Sequence, residues 1–150
     1  MLSKSAVQTK KIAADLAKKI LNAKRFTLNA KVVALTGDLG AGKTTFTQGF
    51  VKPLGIKNRM VSPTFLIFRN YKVKGLRYKD FYHMDLYRIH SPKELNPLNF
   101  KDILKDRHNI VLIEWAEKIK KILPKDAVWV WFEHGKKENE RILLLRGAPR

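Results

Sequence analysis

Apolar positions recur along this chain with two different periods, and where each period holds predicts the elements. Between residues 5 and 24, Ile12, Ala13, Leu16, Ala17, Ile20 and Leu21 fall at helical spacing with most of the lysines off that stripe. This predicts an amphipathic helix packed on the rest of the molecule. KVVALT, residues 31–36, is a short and mostly apolar run bounded by a glycine, which suits a strand buried on both faces. From Lys43 to about Val51 the pattern is helical again, until Pro53 and Gly55 stop it. Residues 65–73 and 77–87 are aromatic and β-branched segments separated by Lys74, Gly75 and Leu76, a hairpin signature. Residues 92–107 read as partly helical, divided by Pro97. NIVLI, 109–113, is a second buried strand, and WAEKIKKIL begins a helix after Glu114. AVWVWFEH and RILLLR are two closing strands flanking the polar turn GKKENE. Strands alternating with helices, with antiparallel additions at the end, predict an α/β domain with a mixed sheet.

Length and composition bound that picture. A chain of 150 residues with 45% hydrophobic content is long enough for one compact domain, residues 1–150, and too short for two of ordinary size. It has no cysteine, so neither a disulfide nor a thiolate metal site is available. No apolar run approaches the ~18 residues of a membrane span. The first helix is basic and amphipathic like a transit peptide, but it is lysine-rich, carries Asp15 and runs without a break into the domain. The expectation is a soluble, cytoplasmic protein with no membrane partner. The net charge of +18, from 31 Lys and Arg against 13 Asp and Glu, draws in polyanions such as nucleic acid. The lysines run from Lys4 to Lys137 with no arginine-rich tract, so a generally solvated basic surface is the competing reading.

The chemistry concentrates in GDLGAGKTT, residues 37–45. Gly37, Gly42, Lys43 and Thr44 satisfy G-x-x-x-x-G-K-[ST], and they stand where that motif functions, between a buried strand and a helix N-terminus. Phosphate oxygens must approach backbone amides closely, so Gly37, Gly40 and Gly42 keep side chains out of the way. The helix starting near Lys43 points unpaired amides and its positive dipole end at the anion. Asp38, Leu39, Ala41 and Thr45 complete the predicted nucleotide-binding loop. Lys43 can reach the β- and γ-phosphates, and the Thr44 hydroxyl can coordinate magnesium.

Such a loop needs an acidic residue at the end of a neighbouring apolar strand to complete the magnesium shell, and Glu114 closes NIVLIE. Alternatively Glu114 only stabilises the following helix start. In HMDLYR, His83, Asp85 and Tyr87 alternate onto one strand face, making Asp85 a second acidic candidate; a surface pairing with Arg88 or a lysine is its plainer reading. In SPTF, residues 62–65, Pro63 restrains the backbone while Ser62 and Thr64 offer hydroxyls to metal or phosphate, or the stretch is a turn opening the next strand. No N-K-x-D guanine motif occurs, which favours ATP over GTP.

GDLGAGKTTF, VSPTF, HMDLYR and LIEWAEK, in this order and at these intervals, resemble the TsaE (YjeE) family of bacterial ATPases in the tRNA threonylcarbamoyladenosine pathway, from about Thr9 to Arg146. The resemblance implies a P-loop NTPase-like, three-layer α/β fold with a mixed central sheet, using ATP and Mg2+, with TsaD and TsaB proteins as partners and a role in resetting their complex between rounds. It implies that Lys43 contacts phosphate, that Thr44 and Glu114 hold magnesium, and that Asp85 lies near the nucleotide. Thr9 matches a threonine of the family's first helix near the adenine. Lys43, Asp85 and Glu114 are thereby the catalytic candidates. Ala116 replaces the family's frequent proline, which leaves Glu114 and Trp115 in place. The strong basic charge is not a family feature and leaves direct tRNA contact open. Two rival classes are a small-molecule P-loop kinase, which needs an acceptor pocket and an arginine-bearing lid, and a basic nucleic-acid-binding module that uses nucleotide structurally.

Overall fold

The computed structural model describes residues 1–24, 27–60, 67–75 and 77–147. Among these, seven strands form one mixed sheet: β1 (Leu2–Ser3), β2 (Lys31–Gly37), β3 (Phe68–Lys72), β4 (Asp80–Asp85), β5 (Asn109–Glu114), β6 (Val128–His134) and β7 (Arg141–Arg146), in the order β1-β7-β6-β2-β5-β4-β3. The centre is parallel, β2 pairing with β5 and β6, and β4 with β5. Both flanks are antiparallel, β3 on β4 at one side and β7 on β6 with β1 at the other. The parallel centre is why KVVALT and NIVLI lack polar alternation: β2 is buried from Lys31 to Leu35 and β5 throughout.

Each sheet face has its own core, which gives the three layers. On one face α1 (Ala6–Leu21) and α2 (Lys43–Phe50) pack Leu16, Ile20, Phe46 and Phe50 onto Val33, Leu35, Ile110, Leu112 and Phe132. Phe46 meets Phe132 edge-on at 5.5 Å, and Phe50 lies 6.0 Å from Phe81. The two helices cross closely at Gly49, where an added Cβ would lie 2.3 Å from the Lys10 carbonyl oxygen. On the other face a 3-10 helix (Pro92–Leu98), α3 (Phe100–Lys105) and a second 3-10 helix (Ala116–Ile122) cover Val32, Ala34, Met84, Val111 and Ile113.

Several boundaries differ from the pattern-based expectation, each for a local reason. Ser5 caps α1 by accepting from the Gln8 amide, so the helix begins at Ala6, and it ends at Leu21 with Asn22 as C-cap. The hairpin loop is wider than residues 74–76: the ladder closes at Lys72 and Asp80, because the Lys79 amide donates to His108 instead of to β3. Residues 61–66, with the start of the expected strand at 65, lie outside the described residues. The segment after Glu114 is a 3-10 helix rather than an α-helix, interrupted at Ile119 (φ −126°) and ending just before Pro124. The division near Pro97 falls at Asn99, whose left-handed backbone (φ 55°) separates the first 3-10 helix from α3. The pattern gave no sign of β1, which has only two residues. No described helix is long and apolar enough to cross a membrane.

Candidate nucleotide site

Strands β2, β5 and β4 run parallel, so their C-terminal ends reach the same edge of the sheet, where open α/β sheets place their ligand crevice. At that edge Leu35 is registered with Glu114, and Glu114 with Asp85. The last residue of β2 is Gly37, whose φ of 149° and approach to β6 exclude a side chain: a Cβ would lie 2.6 Å from the Phe132 carbonyl oxygen. Asp38, Leu39 and Gly40 then project outward, Leu39 to 74% exposure, before Ala41 turns back into the core. Gly42, at φ 106°, is the N-cap of α2 and brings no side-chain oxygen to the first-turn amides. No carboxylate stands in that first turn either, so the positive helix end faces the loop without neutralisation.

Lys43 is the most constrained member of the loop. Its side chain is 6% exposed, and its ammonium donates to the carbonyls of Gly37 and, at 2.9 Å, Asp38. It also lies 4.2 Å from the centroid of the Trp115 ring. Burial lowers its pKa below the ordinary 10.5, an effect opposed by Glu114, Glu117, Asp85 and Asp38. Trp115 reaches this position through a left-handed backbone (φ 61°) directly after β5, and its ring stands 5.2 Å from that of Tyr87. Lys118 fastens the same corner, donating to the carbonyls of Tyr87 and Ile89.

The two carboxylates have different surroundings. Glu114 is buried and shares a 2.7 Å hydrogen bond with Nε2 of His83, itself fully buried. Where that carboxylate is ionised it can only accept, from Nε2; among the described residues Nδ1 has no partner. Asp85, half-exposed at the strand end, accepts the Tyr87 amide at 2.9 Å. Tyr87 itself lies beyond β4 and is 53% exposed, so only His83 and Asp85 share the strand face expected for all three.

Lys43, Thr44, Asp85 and Glu114 therefore converge on one edge of the sheet beside the glycine loop, with Thr45 one residue further along α2. Thr64 lies outside the described residues. Thr9 is buried on α1, where its hydroxyl is 2.7 Å from that of Ser3 in β1; Ser3 is registered with Arg141, and Arg141 donates to the Gly40 carbonyl at 3.3 Å. Thr9 thus connects to the loop through two intermediates. Among the described residues no cluster of three or more His, Cys, Asp or Glu is arranged for a metal ion. The Thr44 hydroxyl and the Glu114 carboxylate are hard oxygen donors of the kind that bind magnesium.

Sequence reasoning passed over Arg141 and the His83 contact with Glu114. Arg141 also donates to the carbonyls of Glu138 and Glu140, tying the glycine loop to the turn before β7. Its contact with Gly40 spans 101 residues, so no local pattern could announce it. His83 is visible in HMDLYR as an unusual strand residue, but its partner lies 31 residues away on a parallel neighbour.

The family model described as "Threonylcarbamoyl adenosine biosynthesis protein TsaE" matches residues 3–143. Proteins named "tRNA threonylcarbamoyladenosine biosynthesis protein TsaE" are similar over most of the chain. The one from Haemophilus influenzae is 41% identical over 71% of this chain and 65% of its own length. The one from Rickettsia typhi is 44% identical over 72% of this chain and 74% of its own. The matched stretch thus spans slightly less than two thirds of the Haemophilus protein. The crystal structure of YdiB from Bacillus subtilis superposes with a TM-score of 0.68 at 31% identity, covering 100% of this chain and 84% of that one.

Proposed function

Because the chain belongs to the TsaE family of threonylcarbamoyl adenosine biosynthesis proteins, we propose that it is the magnesium-dependent ATPase of tRNA threonylcarbamoyladenosine formation, a single domain that acts on the TsaD and TsaB proteins. The observation that carries the ATPase reading is the convergence of Lys43, at the start of an uncapped helix, with two carboxylates registered side by side on neighbouring parallel strands.

Each residue then has a task. The amides of residues 40–44 and the Lys43 ammonium bind the β- and γ-phosphates, Lys43 exchanging the Gly37 and Asp38 carbonyls for phosphate oxygens. Thr44 and Glu114 would hold magnesium, which would neutralise the charge that develops on the phosphates. His83 fixes the Glu114 carboxylate by occupying one of its oxygens. Asp85, less buried and at the strand end, orients the attacking water. Trp115 covers Lys43 and keeps water from the phosphate-binding end. In this reading hydrolysis resets the TsaD and TsaB complex between rounds instead of driving the transfer itself.

A tRNA-modification assay with TsaD and TsaB, run for one round and for many, with and without this protein, tests the proposal. The expected result is equal single-round yield and a multiple-round yield that requires ATP and Lys43. A multiple-round yield indifferent to the protein or to Lys43→Ala refutes the reset role.

A further inference from the structure

The excess positive charge is unevenly distributed, because the carboxylates are. Residues 1–79 hold 17 of the 31 lysines and arginines with only two carboxylates, Asp15 and Asp38, whereas residues 80–150 hold 14 against 11. Between Leu39 and Lys79 there is no acidic residue at all. The first half contributes α1, α2 and the segment after α2, which pack on one face of the sheet, together with β1, β2 and β3.

That face contains a concavity of about 500 Å3 at the C-terminal end of α2. Val51, Ile56 and Met60 form its buried floor. Its rim carries Lys10 from α1 with Lys52, Lys57 and Arg59 from the segment after α2. Lys74 adds a fifth cation, its side chain packed against Gly55, where an added Cβ would lie 2.9 Å from it. None of the five forms an ion pair with a carboxylate of the described residues, in contrast to Lys72, which pairs with Asp80. Gln48 and Asn58 also line it, and their amide groups suit ribose hydroxyls and phosphate oxygens. Lysine is depleted from protein–protein interfaces, whereas a concave lysine-rich rim without acids matches a phosphate backbone, whose condensed counterions it releases. The glycine loop opens at the other end of α2, roughly 12 Å away along an eight-residue helix.

We infer that this groove binds the phosphodiester backbone of a folded RNA, independently of the nucleotide site. The inference rests on the placement of the chain in RNA modification, but its test uses the protein alone.

The measurement is fluorescence anisotropy of labelled tRNA transcript against salt, comparing the parent with the triple variant Lys52→Glu, Lys57→Glu, Arg59→Glu. The control variant Lys101→Glu, Lys105→Glu, Lys125→Glu makes the same change of charge on exposed lysines outside this face. The groove variant is expected to bind at least about tenfold more weakly, with the slope of log K against log salt reduced by about two to three, and the control to change less than about threefold. The ATP-induced thermal shift should be the same in all three proteins. Equal losses in both variants would mean a diffuse field and overturn the groove, as would no loss in either. Competition by polyglutamate as effective as that by unlabelled tRNA at equal charge would also overturn it, in favour of an acidic protein partner. If the reversal impairs folding by circular dichroism, Lys52→Gln, Lys57→Gln, Arg59→Gln carries the same comparison with a smaller expected loss. Failure here leaves the reset role standing, since neither TsaD, TsaB nor hydrolysis enters the assay.

Discussion

Burial pushes the Lys43 pKa down while a phosphate beside it would push it back up, and the opposition has a measurable sign. Below the depressed value, folded and unfolded chains both carry the ammonium, and the desolvation penalty is fully present. Between that value and the ordinary 10.5 the folded protein releases the proton first, so this lysine's penalty fades as pH rises. In the same window ATP binding should take up as much as about one proton, because the bound phosphate restores the charge. Calorimetry in two buffers of different ionisation enthalpy measures the uptake, and Lys43→Met should abolish it. His83 acts at one remove. His83→Phe strips Glu114 of its hydrogen bond and should raise the magnesium concentration needed for half of the ATP-induced thermal shift, while His83→Gln, which can still donate, should raise it less. An unchanged requirement in His83→Phe would show that Glu114 needs no such positioning.

The elements that carry these side chains are held by contacts of very different strength. The α1–α2 crossing depends on Gly49, because a methyl group there meets the Lys10 backbone and not a flexible side chain. Gly49→Ala should cost roughly 2–3 kcal/mol in urea denaturation despite the better helix propensity of alanine. A neutral or stabilising result would mean that the helices separate freely. The first 3-10 helix is instead held at its start by a capping box: Ser91 accepts from the Lys93 amide, and Glu94 accepts from the amides of His90 and Ser91. Ser91→Ala should cost about 1 kcal/mol. Those two amide bonds hold the Glu94 carboxyl below its ordinary 4.5, so its contribution is complete above that pH and is lost as pH falls through the depressed value. Acid titration of the Glu94→Gln variant should accordingly show a shallower loss of stability than the parent.

At the scale of the molecule, the seventeen cations of residues 1–79, offset by only two carboxylates in that stretch, repel one another. Salt screens such repulsion within about 10 Å at 0.1 M, so the melting temperature should rise as sodium chloride increases from low to physiological concentration. A falling melting temperature would mean that favourable pairs dominate the balance instead. The sheet also decides how the site is assembled. Its parallel centre puts the ends of β2, β5 and β4 at one edge, whereas antiparallel pairing would have sent Glu114 and Asp85 to opposite edges.

Local pattern was enough for most of the elements and for the glycine loop. Buried strands such as NIVLI and the stripe of α1 follow from local periodicity, and the glycine spacing of residues 37–42 is a backbone requirement written in neighbouring positions. It also determined that Glu114 ends a buried strand. What it did not contain was adjacency between distant residues. The registration of Asp85 with Glu114, the His83 hydrogen bond, the Trp115 ring over Lys43 and the reach of Arg141 to Gly40 each join positions far apart in the chain. Only strand order and the left-handed turn at Trp115 decide those meetings, because a side chain's neighbours across a sheet are set by which strand is placed beside it and not by the residues that flank it.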